Sequence, residues 1–203
     1  MRRTTATGKQ RKGATSKRGR LRIVAGKWRS RVLDIADVPG LRPTSERVRE
    51  TLFNWLTGDV ARSRCLDLFA GTGALGLEAL SRGAGSVVFV ERDRAVLDAL
   101  RQNIDRLDAA GAEAHAADAR RFAADYDGPP FDIVFLDPPF GDADADELCR
   151  LLARGSLLAP EALVYLEQDR HEAEPALPDG WRVIRDNKAG NVRYRLIATR
   201  PAK

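Results

Sequence analysis

Apolar positions recur along the chain with two different periods, which predicts alternating strands and helices from about residue 65 onward. Short apolar runs indicate buried strands, whereas apolar side chains three and four positions apart mark one face of a helix. The predicted strands are 65–69, 86–91, 112–116, 131–136 and 162–167, and the predicted helices are 74–82, 93–107, 119–124 and 144–154. Repeated strand–helix units form a mostly parallel sheet covered on both faces, with ligands bound at the carboxyl ends of its strands.

The end of the chain departs from this alternation. Residues 181–185 and 192–199 flank a polar turn at 188–191, which predicts a closing antiparallel hairpin. The expected fold class is therefore α/β and Rossmann-like, with a mostly parallel seven-stranded sheet that ends in an antiparallel hairpin.

The segment before the first of these strands predicts a small basic extension. Between Leu21 and Leu33, apolar and basic residues alternate around a glycine, which is typical of a short hairpin with one cationic face. Thr44 has the position of a helix N-cap, and the helix that follows would point Arg47 and Arg49 away from its apolar face. The expected organisation is a flexible basic leader at 1–20, an extension at 21–58 and a main domain at 59–203.

Charge is distributed unevenly. The net charge is +5, yet the first 31 residues hold twelve lysines and arginines and no acid, so the rest of the chain carries −7. A basic arm on an acidic body is typical of a protein that binds a polyanion at one end, and a solvated tail is the plainer alternative. Trp28, between Lys27 and Arg29, has two open interpretations: it stacks on a base, or it covers the core beneath the hairpin.

Other classes of protein are excluded by composition. No apolar run approaches the roughly 20 residues that span a bilayer, and the basic N-terminus lacks the apolar stretch of a secretory signal. Cys65 and Cys149 are far apart and belong to no CxxC pair, so neither a disulfide framework nor a zinc site is expected. We expect a cytoplasmic monomer without a metal or a membrane partner.

A glycine-rich loop follows the first strand of the main domain. The run from Asp67 through Gly71 and Gly73 opens a helix, and its glycines let a ligand approach backbone N–H groups there. Glu91 ends the next strand, where a carboxylate would accept hydrogen bonds from ribose hydroxyls. A nicotinamide dinucleotide and S-adenosylmethionine both fit these features. Asp67, which can orient the charged methionine end, and Asp118, which can accept from the adenine amino group, favour the methyl donor.

Directly after the most apolar predicted strand stands a tetrad, Asp137-Pro138-Pro139-Phe140. Two prolines cannot continue a strand ladder, and they hold the backbone extended. The Asp137 carboxylate and the Pro138 carbonyl would accept the hydrogens of an exocyclic amine and aim its lone pair at a methyl donor, while Phe140 would stack on the base. A dehydrogenase has no use for this tetrad, which makes the nicotinamide alternative much weaker.

With these motifs the chain resembles the RsmD family of bacterial 16S ribosomal RNA guanine-N2 methyltransferases over residues 21–199. The glycine loop and the tetrad are shared by many amino methyltransferases, whereas the run Gly40-Leu-Arg-Pro-Thr-Ser-Glu-Arg-Val-Arg-Glu-Thr-Leu-Phe-Asn-Trp-Leu56 is far more specific. The resemblance implies methylation of a guanine N2 in a small-subunit rRNA hairpin near the decoding region, on an assembled or assembling subunit. The long basic leader at 1–19 departs from the family pattern.

Without the resemblance, Arg42 and Arg47 would be interpreted as ordinary surface charges. The resemblance makes them candidates to contact RNA phosphates. The residues expected to contact the donor are Asp67, Phe69, Ala70, Gly71, Gly73, Glu91, Arg92, Asp118, Ala119 and Asp137. Those expected to contact RNA are Arg22, Lys27, Trp28, Arg29, Arg31, Arg42 and Arg47. Two alternatives stay open: another acceptor (adenine N6 of DNA or RNA, or a protein glutamine), and a non-catalytic RNA-binding assembly factor.

Overall fold

The predicted alternation of strands and helices is present in the computed structural model of the protein, which describes residues 19–41, 43–139 and 145–199. The strands are β1 (Arg20–Arg22), β2 (Val32–Asp34), β3 (Arg64–Asp67), β4 (Ser86–Glu91), β5 (Ala112–Ala116), β6 (Phe131–Leu136), β7 (Leu158–Asp169), β8 (Arg182–Ala189) and β9 (Val192–Ala198). The helices are α1 (Glu46–Trp55), α2 (Ala74–Ser81), α3 (Arg94–Leu107), α4 (Ala119–Asp125) and α5 (Ala145–Arg154). None of these described helices is long and apolar enough to cross a membrane.

Seven strands form one sheet in the order β5-β4-β3-β6-β7-β9-β8, and β1 and β2 pair separately. The neighbours from β5 to β7 run parallel, while β9 is antiparallel to both β7 and β8. The predicted fold class is thereby confirmed. The strand order reverses at β3, and in open α/β sheets the ligand lies at such a switch point, beyond the carboxyl ends of the strands.

Strand β7 is longer than the sequence predicted. It begins at Leu158 instead of at 162, because Phe131 pairs with Leu158 ahead of a register shift at Ile133. The first part of the strand is therefore held by main-chain pairing to β6, which the pattern of apolar residues does not report.

Two apolar cores lie on the two faces of the main sheet, since successive side chains of a strand point in opposite directions. Cys65, Phe89 and Phe135 belong to one core, and Leu66 and Val134 belong to the other. The first core also takes in the predicted extension, whose buried apolar members are Leu21, Ile23, Trp28, Leu33, Ile35, Val48, Leu52, Phe53 and Leu56. Helix α2 lies within this core, and all eight of its residues are buried.

An ion pair inside that core joins the extension to the sheet domain, and it corrects the prediction for Arg49. Arg49 is 1% exposed, and its Nη1 donates to Glu78 of α2 at 2.9 Å. Glu78, fully buried, also accepts from the backbone N–H groups of Val24 and Ala25. The helical pattern failed at Arg49 because it treats every charge as solvated, whereas a paired and hydrogen-bonded charge can be buried.

Candidate active site

Four acidic side chains lie at the carboxyl edge of the sheet, where four strands end. Asp67 and Glu91 are the last residues of β3 and β4, Asp137 directly follows β6, and Glu167 lies near the end of β7. The registers of β3 with β4 and β6 place Glu91 and Asp137 each two residues beyond the level of Asp67. The structure thus brings together three acids that the sequence predicted and a fourth, Glu167, that it did not.

The glycine-rich loop connects β3 to α2 and is held by two of these acids. Gly71 donates its backbone N–H to Oε2 of Glu91 at 2.9 Å, and Gly76 donates to Oδ2 of Asp67 at 3.0 Å. Gly71 and Gly73 have φ angles of +49° and +75°, a conformation that L side chains rarely adopt. The backbone therefore turns sharply into α2 and carries no side chain at positions 71 and 73 of the predicted donor site.

The other residues predicted to contact the donor differ in their exposure and their contacts. Phe69 is half-buried, whereas Ala70 and Ala119 are each 6% exposed and offer a ligand little more than backbone. Asp118 caps α4, with its Oδ1 accepting from the backbone N–H groups of Arg120 and Arg121. A groove of about 840 Å³ lies beside α4, and among its lining residues are Arg92, Asp118 and Phe122.

Burial changes the ionisation of the central acids. Burial raises the pKa of Asp67 to about 7, the backbone hydrogen bond from Gly76 opposes this, and the negative charges of Asp137 and Glu91 add to it. Burial also raises the pKa of Asp137 to about 6, although the hydrogen bond from Thr44 lowers it. Acids crowded in this way favour a bound cation, and the sulfonium and amino groups of S-adenosylmethionine both carry positive charge. The open glycine loop and this acid set fit that molecule.

The structure describes three residues of the tetrad; Phe140 lies outside the described residues. Asp137 is half-buried, Pro138 is buried and Pro139 is exposed. Thr44 donates its hydroxyl to Oδ2 of Asp137 at 3.0 Å. The predicted N-cap role of Thr44 is therefore wrong: Ser45 caps α1 instead, with its hydroxyl accepting from the backbone N–H of Val48.

Basic residues of the extension lie mostly on the surface. Lys27, Arg29 and Arg31 are exposed around the β1–β2 connection, and Arg47 is exposed on α1. Arg22 is exposed as well, but its guanidinium forms two hydrogen bonds to the Glu46 carboxylate. Arg42 and residues 1–18 of the predicted leader lie outside the described residues.

Trp28 behaves differently from the basic residues around it. It is 6% exposed and belongs to the first apolar core, while the Nζ of Lys27 lies 5.4 Å from the centre of its ring. Of its two interpretations, this burial favours the one in which the ring covers the core beneath the hairpin.

Sequence reasoning missed Thr44 and Glu167 as members of the site. Glu167 is 3% exposed, and Tyr165 donates its hydroxyl to Oε1 of Glu167 at 2.6 Å. A signal was present, because Glu167 is a lone acid at the end of an apolar run in β7, and a lone charge in such a run indicates a buried partner. Thr44 offered no comparable signal, since its contact with Asp137 spans 93 positions.

A seven-stranded sheet of this order, with a glycine loop after β3, an acid ending β4 and Asp-Pro-Pro after β6, defines the Rossmann-like fold of S-adenosylmethionine-dependent methyltransferases. The comparisons with known proteins agree. A family model described as "conserved hypothetical protein 95" matches residues 21–198. The chain belongs to this family, the RsmD family of methyltransferases.

Named relatives and a solved structure support this membership. Ribosomal RNA small subunit methyltransferase D of Escherichia coli strain K12 is 47% identical over 178 residues, which are 88% of this chain and 89% of that relative. The protein of the same name from Haemophilus influenzae is 41% identical over 185 residues, covering 88% and 94% of the two chains. The solved structure of yhhF from Escherichia coli superposes with a TM-score of 0.83 at 44% identity, and covers 91% of this chain and 100% of that one.

Proposed function

We propose that this protein transfers a methyl group from S-adenosylmethionine to the exocyclic N2 of one guanine in 16S rRNA. The expected target is a hairpin near the decoding region of an assembled or assembling small subunit. The single observation that supports this most is the position of Asp137-Pro138 at the switch point beside the glycine loop. The names of the relatives add the substrate class, since they are small-subunit rRNA methyltransferases.

An exocyclic amine is a poor nucleophile, because its lone pair is delocalised into the ring. S-adenosylmethionine would supply a methyl group bonded to a positively charged sulfur. The amine nitrogen would form a bond to the methyl carbon as the carbon–sulfur bond breaks, and the sulfur would leave as a neutral thioether. The Asp137 carboxylate and the Pro138 carbonyl accept the two N–H bonds of the amine and direct its lone pair toward that methyl group. The nitrogen then releases a proton to water or to Asp137. The loop at Gly71 and Gly73 and the Glu91 carboxylate would hold the donor, and Asp118 would accept from its adenine amino group.

Asp137 must be ionised to accept a hydrogen from the amine. Its raised pKa of about 6 therefore predicts that methyl transfer is lost as the pH falls through that value. Thr44 favours the ionised carboxylate, since its hydrogen bond lowers the pKa of Asp137.

The rRNA is expected to lie along the exposed basic residues of the extension. Lys27, Arg29 and Arg31 surround the β1–β2 connection, and Arg47 is exposed on α1. Thr44, two residues before this helix, contacts Asp137. Contacts of this kind hold a phosphate backbone in register, and the base-binding site supplies the choice of base.

The test is methyl transfer from labelled S-adenosylmethionine to small subunits of a strain that lacks the enzyme, followed by nucleoside analysis of the rRNA. A single N2-methylguanosine is expected. An Asp137→Ala variant should lose roughly 100-fold or more of the transfer rate and should still bind the donor in part. Near-normal turnover by that variant would contradict the mechanism.

The same experiment separates the other candidate functions. Donor binding without label in the subunits would leave a methyltransferase with a different acceptor: adenine in DNA or RNA, or a protein glutamine. An absence of donor binding by the purified protein would leave only an assembly factor with the methyltransferase fold.

A further inference from the structure

The buried side chain of Arg49 joins three separate parts of the chain. Its Nη1 donates to Oε2 of Glu78 on α2 at 2.9 Å, and its Nη2 donates to the Arg22 carbonyl on β1 at 2.8 Å. Its Nε donates to the carbonyl of Thr44, before α1, at 3.1 Å. Because all three nitrogens belong to one planar guanidinium, the three acceptors are held in a fixed mutual arrangement.

The bond to Thr44 is separate from the ion pair that joins the extension to the sheet domain. The charge of Arg49 is balanced by Glu78, whose other carboxylate oxygen pairs with Nε of Arg82. Ser45 is the N-cap of α1, and its carbonyl accepts the Arg49 backbone N–H, as the first intrahelical bond requires. The Thr44 carbonyl therefore lies outside the helical ladder, and the Arg49 side chain holds it in place.

Thr44 in turn lies between this buried arginine and the candidate active site. Its hydroxyl donates to Oδ2 of Asp137 at 3.0 Å. Earlier in the same segment, Cδ1 of Leu41 lies 3.3 Å from the position that a Cβ at Gly71 would occupy, so the segment also lies against the glycine loop. A threonine side chain is stiff at χ1. The direction of the Thr44 hydroxyl therefore depends on where the Thr44 backbone is held.

We propose that Arg49 is a positioning residue for methyl transfer: by its bond to the Thr44 carbonyl it holds the Thr44 hydroxyl against Asp137, and so orients the carboxylate that accepts from the amine. This inference rests on the proposed function of Asp137. Arg49 is enclosed in the core and acts through Thr44. Its loss should lower the rate of the chemical step, because that rate depends on how well the acceptor aligns the amine with the methyl donor.

Arg49→Lys is the variant that tests this inference. Lysine has a methylene group where arginine has Nε, so the variant keeps a positive charge beside Glu78 and loses the donor to Thr44. Arg82→Lys is the matched control, because it changes the other guanidinium on the Glu78 carboxylate and leaves the bond to Thr44 in place. The measurement is the single-turnover rate of methyl transfer to saturating, unmethylated small subunits. We expect Arg49→Lys to lower this rate about fivefold, whereas Arg82→Lys should stay close to the wild type.

A double-mutant cycle separates positioning from a general structural defect. If Arg49 acts through Thr44, Arg49→Lys should have little further effect on the rate once Thr44→Val has removed the hydroxyl, so that the two losses do not multiply. Thr51→Val provides the control background, because the Thr51 hydroxyl donates to the Arg47 carbonyl of its own helix. In that background Arg49→Lys should keep its full loss of about fivefold.

A second variant serves if thermal melting shows that Arg49→Lys does not fold. The double substitution Arg49→Met with Glu78→Gln removes both buried charges together, which is better tolerated than leaving one of them unpaired. The glutamine oxygen still offers an acceptor to the backbone N–H groups of Val24 and Ala25, which donate to Glu78 in the wild type. This variant also lacks the donor to Thr44, so the same cycle with Thr44→Val and Thr51→Val applies to it.

The outcomes are distinct. Equal fractional losses from Arg49→Lys in the Thr44→Val and Thr51→Val backgrounds would overturn the inference, and so would an equal loss of rate in Arg82→Lys. Both results would leave the proposed function standing, because the wild type still methylates the subunits. If the wild-type protein transfers no methyl group to the subunits, the proposed function fails and the inference fails with it.

Discussion

Thr44 donates its hydroxyl to Oδ2 of Asp137 at 3.0 Å and thereby connects the extension to the acid that follows β6. Removal of this bond should misalign the carboxylate and raise its pKa, since the bond is what lowers that pKa. We expect Thr44→Val to reduce the methyl transfer rate about tenfold at neutral pH. The pH below which this variant loses methyl transfer should also be higher than in the wild type, because Asp137 then has a higher pKa.

The measurement is the single-turnover rate as a function of pH. Thr44→Ser keeps the hydroxyl and should stay close to the wild type. Thr51→Val is the matched control on α1, because the Thr51 hydroxyl donates only to the Arg47 carbonyl of its own helix. Equal losses in Thr44→Val and Thr51→Val would contradict the role given to Thr44.

The buried pair of Arg49 and Glu78 predicts a large effect on stability. Glu78→Gln leaves the Arg49 guanidinium without its charge partner, and breaking a buried pair on one side costs about 3–5 kcal/mol. The control is Asp125→Asn, which breaks an exposed pair with Arg121 and should cost less than about 1 kcal/mol. Denaturant unfolding of both variants gives the two free energies. If Glu78→Gln lowers the free energy of unfolding by less than about 1 kcal/mol, the buried pair does not stabilise the fold as expected.

The conformation of the glycine loop predicts that a side chain at position 73 weakens donor binding as well as straining the backbone. An alanine at position 73 would adopt a φ of +75°, and its Cβ would lie 2.4 Å from Cδ1 of Leu100. Gly190→Ala is the matched control, with a φ of +61° in the β8–β9 turn and no atom within 4 Å of the added Cβ. Each substitution costs about 1–2 kcal/mol of strain. Only Gly73→Ala should also weaken S-adenosylmethionine binding, about tenfold in calorimetry, because Leu100 and the loop must move apart. Equal donor affinity in the two variants would refute this.

The basic extension predicts a salt-dependent contribution to RNA binding. Replacing both Arg29 and Arg31 by alanine should weaken binding to small subunits and reduce the slope of log affinity against log salt by about 1 for each phosphate that is no longer neutralised. Arg182→Ala, an exposed arginine on the edge strand β8, is the control. Its slope should equal that of the wild type. If the slope for Arg182→Ala falls as much as the slope for the Arg29 and Arg31 double variant, the extension attracts RNA only through general electrostatics and does not form a defined RNA path.

The local pattern of residues was enough to predict most of the fold. Apolar periodicity predicted the seven strands of the main sheet. The glycines and the Asp-Pro-Pro run mark turns and loops, because their backbone geometry depends on only a few adjacent residues. Because parallel strands all end at one edge, the predicted positions of Asp67, Glu91 and Asp137 near the ends of their strands assigned all three to the ligand-binding edge of the sheet. The specific run from Gly40 to Leu56 pointed to the family.

Other features were decided only by the tertiary structure. Whether Arg49 is solvated depends on a partner 29 positions away, and the choice of Ser45 over Thr44 as N-cap follows from the contact that Thr44 makes with Asp137. The burial of Trp28 and the pairing of Glu167 with the site likewise depend on which elements pack together. The physical reason is the same throughout: periodicity reports which face of an element is apolar, whereas a buried polar group is stable only through its partners, and these come from distant parts of the chain.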